Sequence, residues 1–381
     1  MLRRYPVAVA ILTVLAIATT GCSSVPTPGP RPTTINVAVQ DCGAGWTAPH
    51  AGQQTFLLRN RDIVGGEVFL VEAASGDVVA YVDNVGPGAA ANLSIDLGSG
   101  KYAFRCAMAD SDVAYGKSVT IAGHVKGGVY PVSAVTTNDL IPAVKAYQSY
   151  VVGELPKLVA LAQKLNRDIR ANSLPTARRD WLPAHLEYER LGAAYGAFGD
   201  ADRAINGTTA GLAGGVSDPR FTGFHRLEYG LWHGQGASEL TPISVRLDKD
   251  LVNLTRSFAS ARIEPLDIGI RAHEITENAL QFELTGQTNY GSDSSLATVE
   301  ANLTGTRVVL GILRDVIAPR YPALTEATSQ LAKSSKDVAA LDTRGLAELS
   351  TAQRERVDSD VSELSELLAP IASICEPRRT R

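Results

Sequence analysis

The apolar residues of this chain change their repeat once, and that change constrains the fold more than any other feature. From about Thr34 to Gly123 they alternate in short runs: INVAVQD, TFLLRN, EVFLVEAA, VVAYVDN, ANLSIDL, KYAFRCAM and KSVTIAG, separated by Gly, Pro and Asn. A period of two marks half-buried strands, and seven such runs predict a β-sandwich. Beyond Asp139 the repeat becomes helical. LIPAVKAYQSYVVGELPKLVALAQKL, WLPAHLEYERLGAAYGAF, FHRLEYGLWHG, LDKDLVNLTRSFASA, IRAHEITENALQFEL, SSLATVEANLTGTRVVLGILRDVI and VDSDVSELSELLAPIASI all carry it. They predict an all-α helical bundle. Pro142 and Pro156 are places where the first of these helices breaks or kinks. The reading is a multidomain β + α chain: a sandwich over residues 35–123, a linker over 124–138 and the bundle over 139–376.

The first residues read as a leader rather than as fold. Arg3 and Arg4 precede a short apolar run from Val7 to Ala18, too short to span a bilayer. ATTGC then ends at Cys22 and resembles a bacterial lipobox, with Thr19 where a leucine is usual. Residues 1–22 are thus expected to be a lipoprotein signal peptide, with lipid on Cys22 anchoring the chain at the extracytoplasmic face of the cell membrane. SSVPTPGPRPTT, residues 23–34, suits a tether. The net charge of −4, with no basic stripe, argues against nucleic acid as a partner.

Outside the cytoplasm disulfides persist. Cys42 and Cys106 lie in the same candidate domain and form the natural pair, which leaves Cys375 as an inert thiol. GSGKYAFRCAM resembles the closing segment of a cupredoxin, so the sandwich is expected to be cupredoxin-like. A blue-copper site needs two His, one Cys and usually a Met. Met108, Asp110 and Asp112 follow Cys106, with no histidine in the expected place. The segment therefore reads as a degenerate cupredoxin. Glu67, Asp110 and Asp112 are candidates for a second, hard-oxygen metal site, against the alternative of a solvated acidic face.

In the helical half, three histidines have a carboxylate one turn away: His185 with Glu189, His225 with Glu228, and His273 with Glu277. Residues three or four apart share a helix face. A bundle can point such pairs at one interior point, and imidazole mixed with carboxylate suits iron, zinc or manganese. Each pair could equally be a surface contact. His225 and Glu228 differ, because Phe224, Leu227, Tyr229, Leu231 and Trp232 around them imply burial, and a buried carboxylate needs a partner.

FTGFHRLEYGLW is similar to the G-x-H-x-x-E motif of the imelysin-like family, and LPAHLEYERLGAAYGAFGDADRAIN resembles that family's YER segment and FGDLD-like run. The order of a degenerate cupredoxin half and a helical half agrees with the family's periplasmic iron-uptake members. The resemblance implies metal ligation by His225, Glu228 and Glu189. It implies ferrous or ferric iron as cargo, with zinc or copper left open by the ligand types, and an iron permease and a haem peroxidase-like protein as partners. Departures are also visible. A second glutamate of the family falls on Gly192, its doubled glutamate is Glu277-Asn278, and GSDSSL stands where a histidine-bearing run is expected.

The family is also classed with peptidases. A zinc peptidase of the familiar kind uses H-E-x-x-H, whereas HEITE at His273 ends in glutamate and no G-x-S-x-G motif is present. The chain is therefore expected to be a binding protein and not an enzyme. The alternatives are a metallopeptidase and a structural envelope lipoprotein that has lost its metal.

Overall fold

The computed structural model describes residues 32–123 and 135–376. The leader, Cys22, nearly all of the tether and most of the 124–138 linker lie outside those residues.

Each of the seven alternating runs is a strand, and one two-residue strand joins them. One sheet holds β1 (Thr33–Val37), β2 (Gly52–Asn60) and β5 (Ala90–Leu97), with β1 parallel to β2. The other holds β3 (Gly66–Glu72), β4 (Val78–Val85), β6 (Gly100–Met108), β7 (Ala114–Tyr115) and β8 (Val119–Ile121). Ile35, Phe56, Leu58 and Leu97 from the first sheet meet Val68, Leu70, Phe104 and Met108 from the second in one apolar core. Trp46, Phe56 and Phe104 pack edge-on there with ring centres 5.1–5.4 Å apart. Cys42 and Cys106 are joined by a disulfide beside them.

Among the described residues ten α-helices follow. The first, α1 (Thr137–Arg170), starts at a capping box in which Asp139 N–H donates to Thr136 Oγ1 and Thr136 N–H to Asp139 Oδ2. It runs unbroken through Pro142 and Pro156, contrary to the expectation from sequence. Both prolines are exposed, and the apolar stripe Leu140, Ala143, Tyr147, Val151, Leu155, Leu158 keeps its phase past each. Tertiary packing of that stripe outweighs two missing donors on the solvent face. Then come α2 (Leu174–Glu189), the short α3 (Tyr195–Phe198) and α4 (Asp200–Asn206), α5 (Gly223–Trp232), α6 (Ala237–Phe258), α7 (Pro265–Asn278), α8 (Ser295–Ile317), α9 (Leu324–Ala339) and α10 (Thr351–Ile374). One π-helical turn, Ala279–Glu283, extends α7. All share a core built around Trp181, Tyr147, Tyr188, Phe224 and Phe258. Cys375 is buried against Gly269, and burial pushes its thiol up to about 12, so it is inert at neutral pH. Among the described residues no helix is long and apolar enough to cross a membrane.

Candidate functional site

The FTGFHRLE stretch owes its placement to its glycine. Gly223 opens α5 with φ of 78°, and a Cβ there would stand 2.0 Å from the Ile205 carbonyl oxygen. Only glycine allows that backbone and that approach. The start of α5 therefore presses on the end of α4, where Thr222 Oγ–H donates to the Ala204 carbonyl at 2.8 Å. From α2, Trp181 donates its indole N–H to the Phe224 carbonyl at 2.9 Å and stacks on His185. These contacts bring the rings of His185 and His225 to 5.1 Å.

The two histidine–glutamate pairs are thereby buried side by side. His185 Nε2 lies 3.2 Å from Glu189 Oε1, and His225 Nδ1 lies 3.3 Å from Glu228 Oε2. Glu189 also accepts from Asn206 Nδ2 at 2.7 Å and from the Tyr195 hydroxyl at 3.2 Å. The Asn302 amide, turned with its nitrogen toward Glu189, adds a donor at 3.0 Å. Burial alone would raise the pKa of Glu189, but His185, His225 and Asn206 outweigh it and hold the carboxyl low. Glu228 behaves alike: burial opposes its charge, while His225 and the Ser292 hydroxyl hold its pKa below the usual range. Burial also disfavours charge on His185, yet the carboxylates of Glu189, Glu228 and Glu283 leave its pKa raised.

A cavity of about 130 Å³ opens beside these pairs. His225, Glu189 and Glu283 line it, with Tyr195, Asn206, Asn302 and Arg271 also in the wall. A liquid water occupies roughly 30 Å³, so the space suits a small ion with a few waters and excludes a large organic ligand. Glu283 was not among the candidates read from the sequence. It sits on the π turn after α7, and π turns recur at functional sites. Burial and the charge of Glu189 push its pKa up to about 8. Gly192, where the family would place a glutamate, also lines the wall; a Cβ there would touch the Ile275 side chain at 3.3 Å.

Other candidates lie elsewhere. His273 Nε2 and Glu277 Oε1 are 3.6 Å apart, and Glu277 is exposed in a separate surface cleft with Glu274 and Glu366. Their i, i+4 spacing made a surface pair, because α7 turns its other face, with Ile268, Ala272 and Ile275, into the core. In the sandwich, Asp110 and Asp112 are exposed after β6 and Glu67 is half-buried in β3. Among the described residues no three His, Cys, Asp or Glu side chains are set together in a way that could hold a metal ion as they stand. In the helical half the cause is visible: His185 and His225 turn nitrogens onto their glutamates.

A sequence model of a family described as imelysin, under a peptidase heading, matches residues 143–371, more than half of the chain. The chain is similar to proteins named iron uptake system component EfeO. The protein from Escherichia coli O1:K1 / APEC is 23% identical over 354 residues, covering 89% of this chain and 90% of the relative. Those from Escherichia coli strain K12 and Shigella flexneri are each 24% identical over 293 residues, covering 76% of both chains.

Proposed function

The chain belongs to the imelysin family, and on that premise we propose that it is the iron-binding component of an extracytoplasmic iron-uptake system. The observation that carries the reading is the meeting of His225, Glu189 and Glu283 on one small cavity. Relatives named as iron-uptake components support it. Carboxylates would neutralise the cation and an imidazole nitrogen would restrain its choice, a donor set open to iron in either oxidation state and to zinc or copper. An entering ion would displace the proton held on Glu283 and draw Glu189 away from His185. Lipid on Cys22 would anchor the protein, a membrane permease would take the iron, and a haem peroxidase-like protein would complete the system.

The test is calorimetry with ferrous iron under anoxia and ferric iron supplied as its citrate complex, on the wild type and on His225→Ala. One ion bound by the wild type and none by the variant is the expected result. Equal binding by both would move the site away from α5. No binding by either would favour a second reading, a structural envelope protein. A peptidase would show itself by cleaving unfolded substrates in a reaction that a chelator stops. The surface position of His273 and Glu277 gives that chemistry little support.

A further inference from the structure

The motif glutamate is already held by four donors of the protein. Glu228 Oε1 accepts from the Tyr290 N–H at 2.9 Å, the Ser292 N–H at 3.1 Å and the Ser292 hydroxyl at 2.6 Å. Its Oε2 faces His225 Nδ1 at 3.3 Å. Three donors crowd the roughly two lone-pair sites of Oε1, and the one donor on Oε2 is His225. Glu228 is 1% exposed. It is not among the side chains that line the cavity, whereas His225 is.

The consequence for His225 follows from donor and acceptor roles. An ionised carboxylate only accepts, so the neutral imidazole must carry its proton on Nδ1, and Nε2 keeps its lone pair. Tyr290, whose backbone Glu228 holds, places its ring 5.3 Å from His225 and 5.1 Å from Phe221. The Tyr290 hydroxyl accepts from the Thr209 N–H at 2.9 Å. Through one carboxylate the imidazole is thus fixed by a direct hydrogen bond and by a packed ring. Partners of this kind orient ligand histidines in metal sites.

We propose that Glu228 is a positioning residue that acts through His225: it clamps the 290–292 segment to α5 and holds the imidazole in the tautomer whose Nε2 can take a cation, without binding the ion itself. This rests on reading the cavity as a cation site. The histidine and glutamate of the motif then have different jobs, one as ligand and one as holder.

The experiment uses the whole protein, free of metal and then with Co(II) as the probe. In the metal-free wild type, nitrogen-15 imidazole spectra should show His225 protonated on Nδ1 and bare on Nε2. Glu228→Gln keeps an oxygen for the segment's donors but offers an amide N–H to Nδ1, so the tautomer should invert. Co(II) affinity should then fall about 10- to 100-fold, while the ion bound at saturation keeps its visible spectrum and ligand number. Ser292→Ala leaves both motif residues in place; it should weaken Co(II) binding severalfold and speed hydrogen exchange at the Tyr290 and Ser292 amides. An unchanged tautomer in Glu228→Gln, or a bound ion that has lost one ligand, would overturn the proposal. Absence of Co(II) binding by the wild type would sink the cation reading instead, and the tautomer spectra of the metal-free pair would then alone decide whether Glu228 sets the ring.

Discussion

The two halves of this chain differ in how they bury ionisable side chains. Between its sheets the sandwich packs Trp46, Phe56, Phe104 and a disulfide, and its candidate acids Asp110 and Asp112 stay outside. The helical half takes His185, Glu189, His225 and Glu228 inside and pairs them with one another, with amides and with a backbone segment, while His185 Nδ1 is left without a hydrogen-bond partner. A buried ionisable group costs stability unless it is paired and hydrogen-bonded. Among its described residues the sandwich buries one charged group, Arg105, over the Phe69 ring, whereas the bundle gathers four ionisable groups at one place, and the difference teaches where to look for function.

The largest expected effect separates the halves by stability. Replacing Cys42 and Cys106 by serine should destabilise the sandwich by roughly 4 kcal/mol on the loop-entropy account, since the bridge spans 64 residues. Denaturant unfolding should show that loss in the β-sheet signal, while iron affinity measured by calorimetry stays within twofold. A matching loss of affinity would break the comparison.

A smaller effect sharpens it from the other side. Glu283 titrates at about 8 in the fold against an ordinary 4.5. The stability tied to its protonated form is whole below about pH 4.5 and is lost as pH rises to about 8. Glu283→Gln should remove that loss in metal-free protein. Its Tm minus that of the wild type should grow across this window, as read by calorimetric scans. A constant difference would mean that Glu283 is not held protonated by its surroundings.

The smallest effect is an expected absence of one. Neutralising Glu67, Asp110 and Asp112 together should change iron affinity less than twofold by calorimetry. A tenfold loss would place a metal site in the sandwich and reverse the contrast between the halves.

The same contrast explains how much could be read from the sequence. Seven of the eight described strands were legible as short apolar runs between turn residues, alternating in β2 but continuously buried in β3 and β6, and α1 was legible because its apolar stripe holds phase from Leu140 to Ile169. Short-range spacing also picked out His185, Glu189, His225 and Glu228, since a pair one turn apart is a local property. The same rule picked out His273 and Glu277, of which His273 is half-buried and Glu277 exposed, because spacing says that two residues share a face but not which face is buried. Glu283 escaped because the π turn shifts the helical phase after Asn278. Tyr290 and Ser292 escaped for another reason: in GSDSSL the donors are mainly backbone N–H groups, which every residue type supplies.

The clamp on Glu228 also has a bearing on how the protein matures. Its donors come from residues 62 and 64 positions further along the chain. Closing so long a segment is an entropic toll that local contacts do not meet, so such pairings form after the helices themselves. A partly folded chain would lack this holder, and its His225 ring would turn freely. Cation capture would begin only once the last long-range contact had closed, which spares the unfinished protein from trapping metal in the wrong geometry.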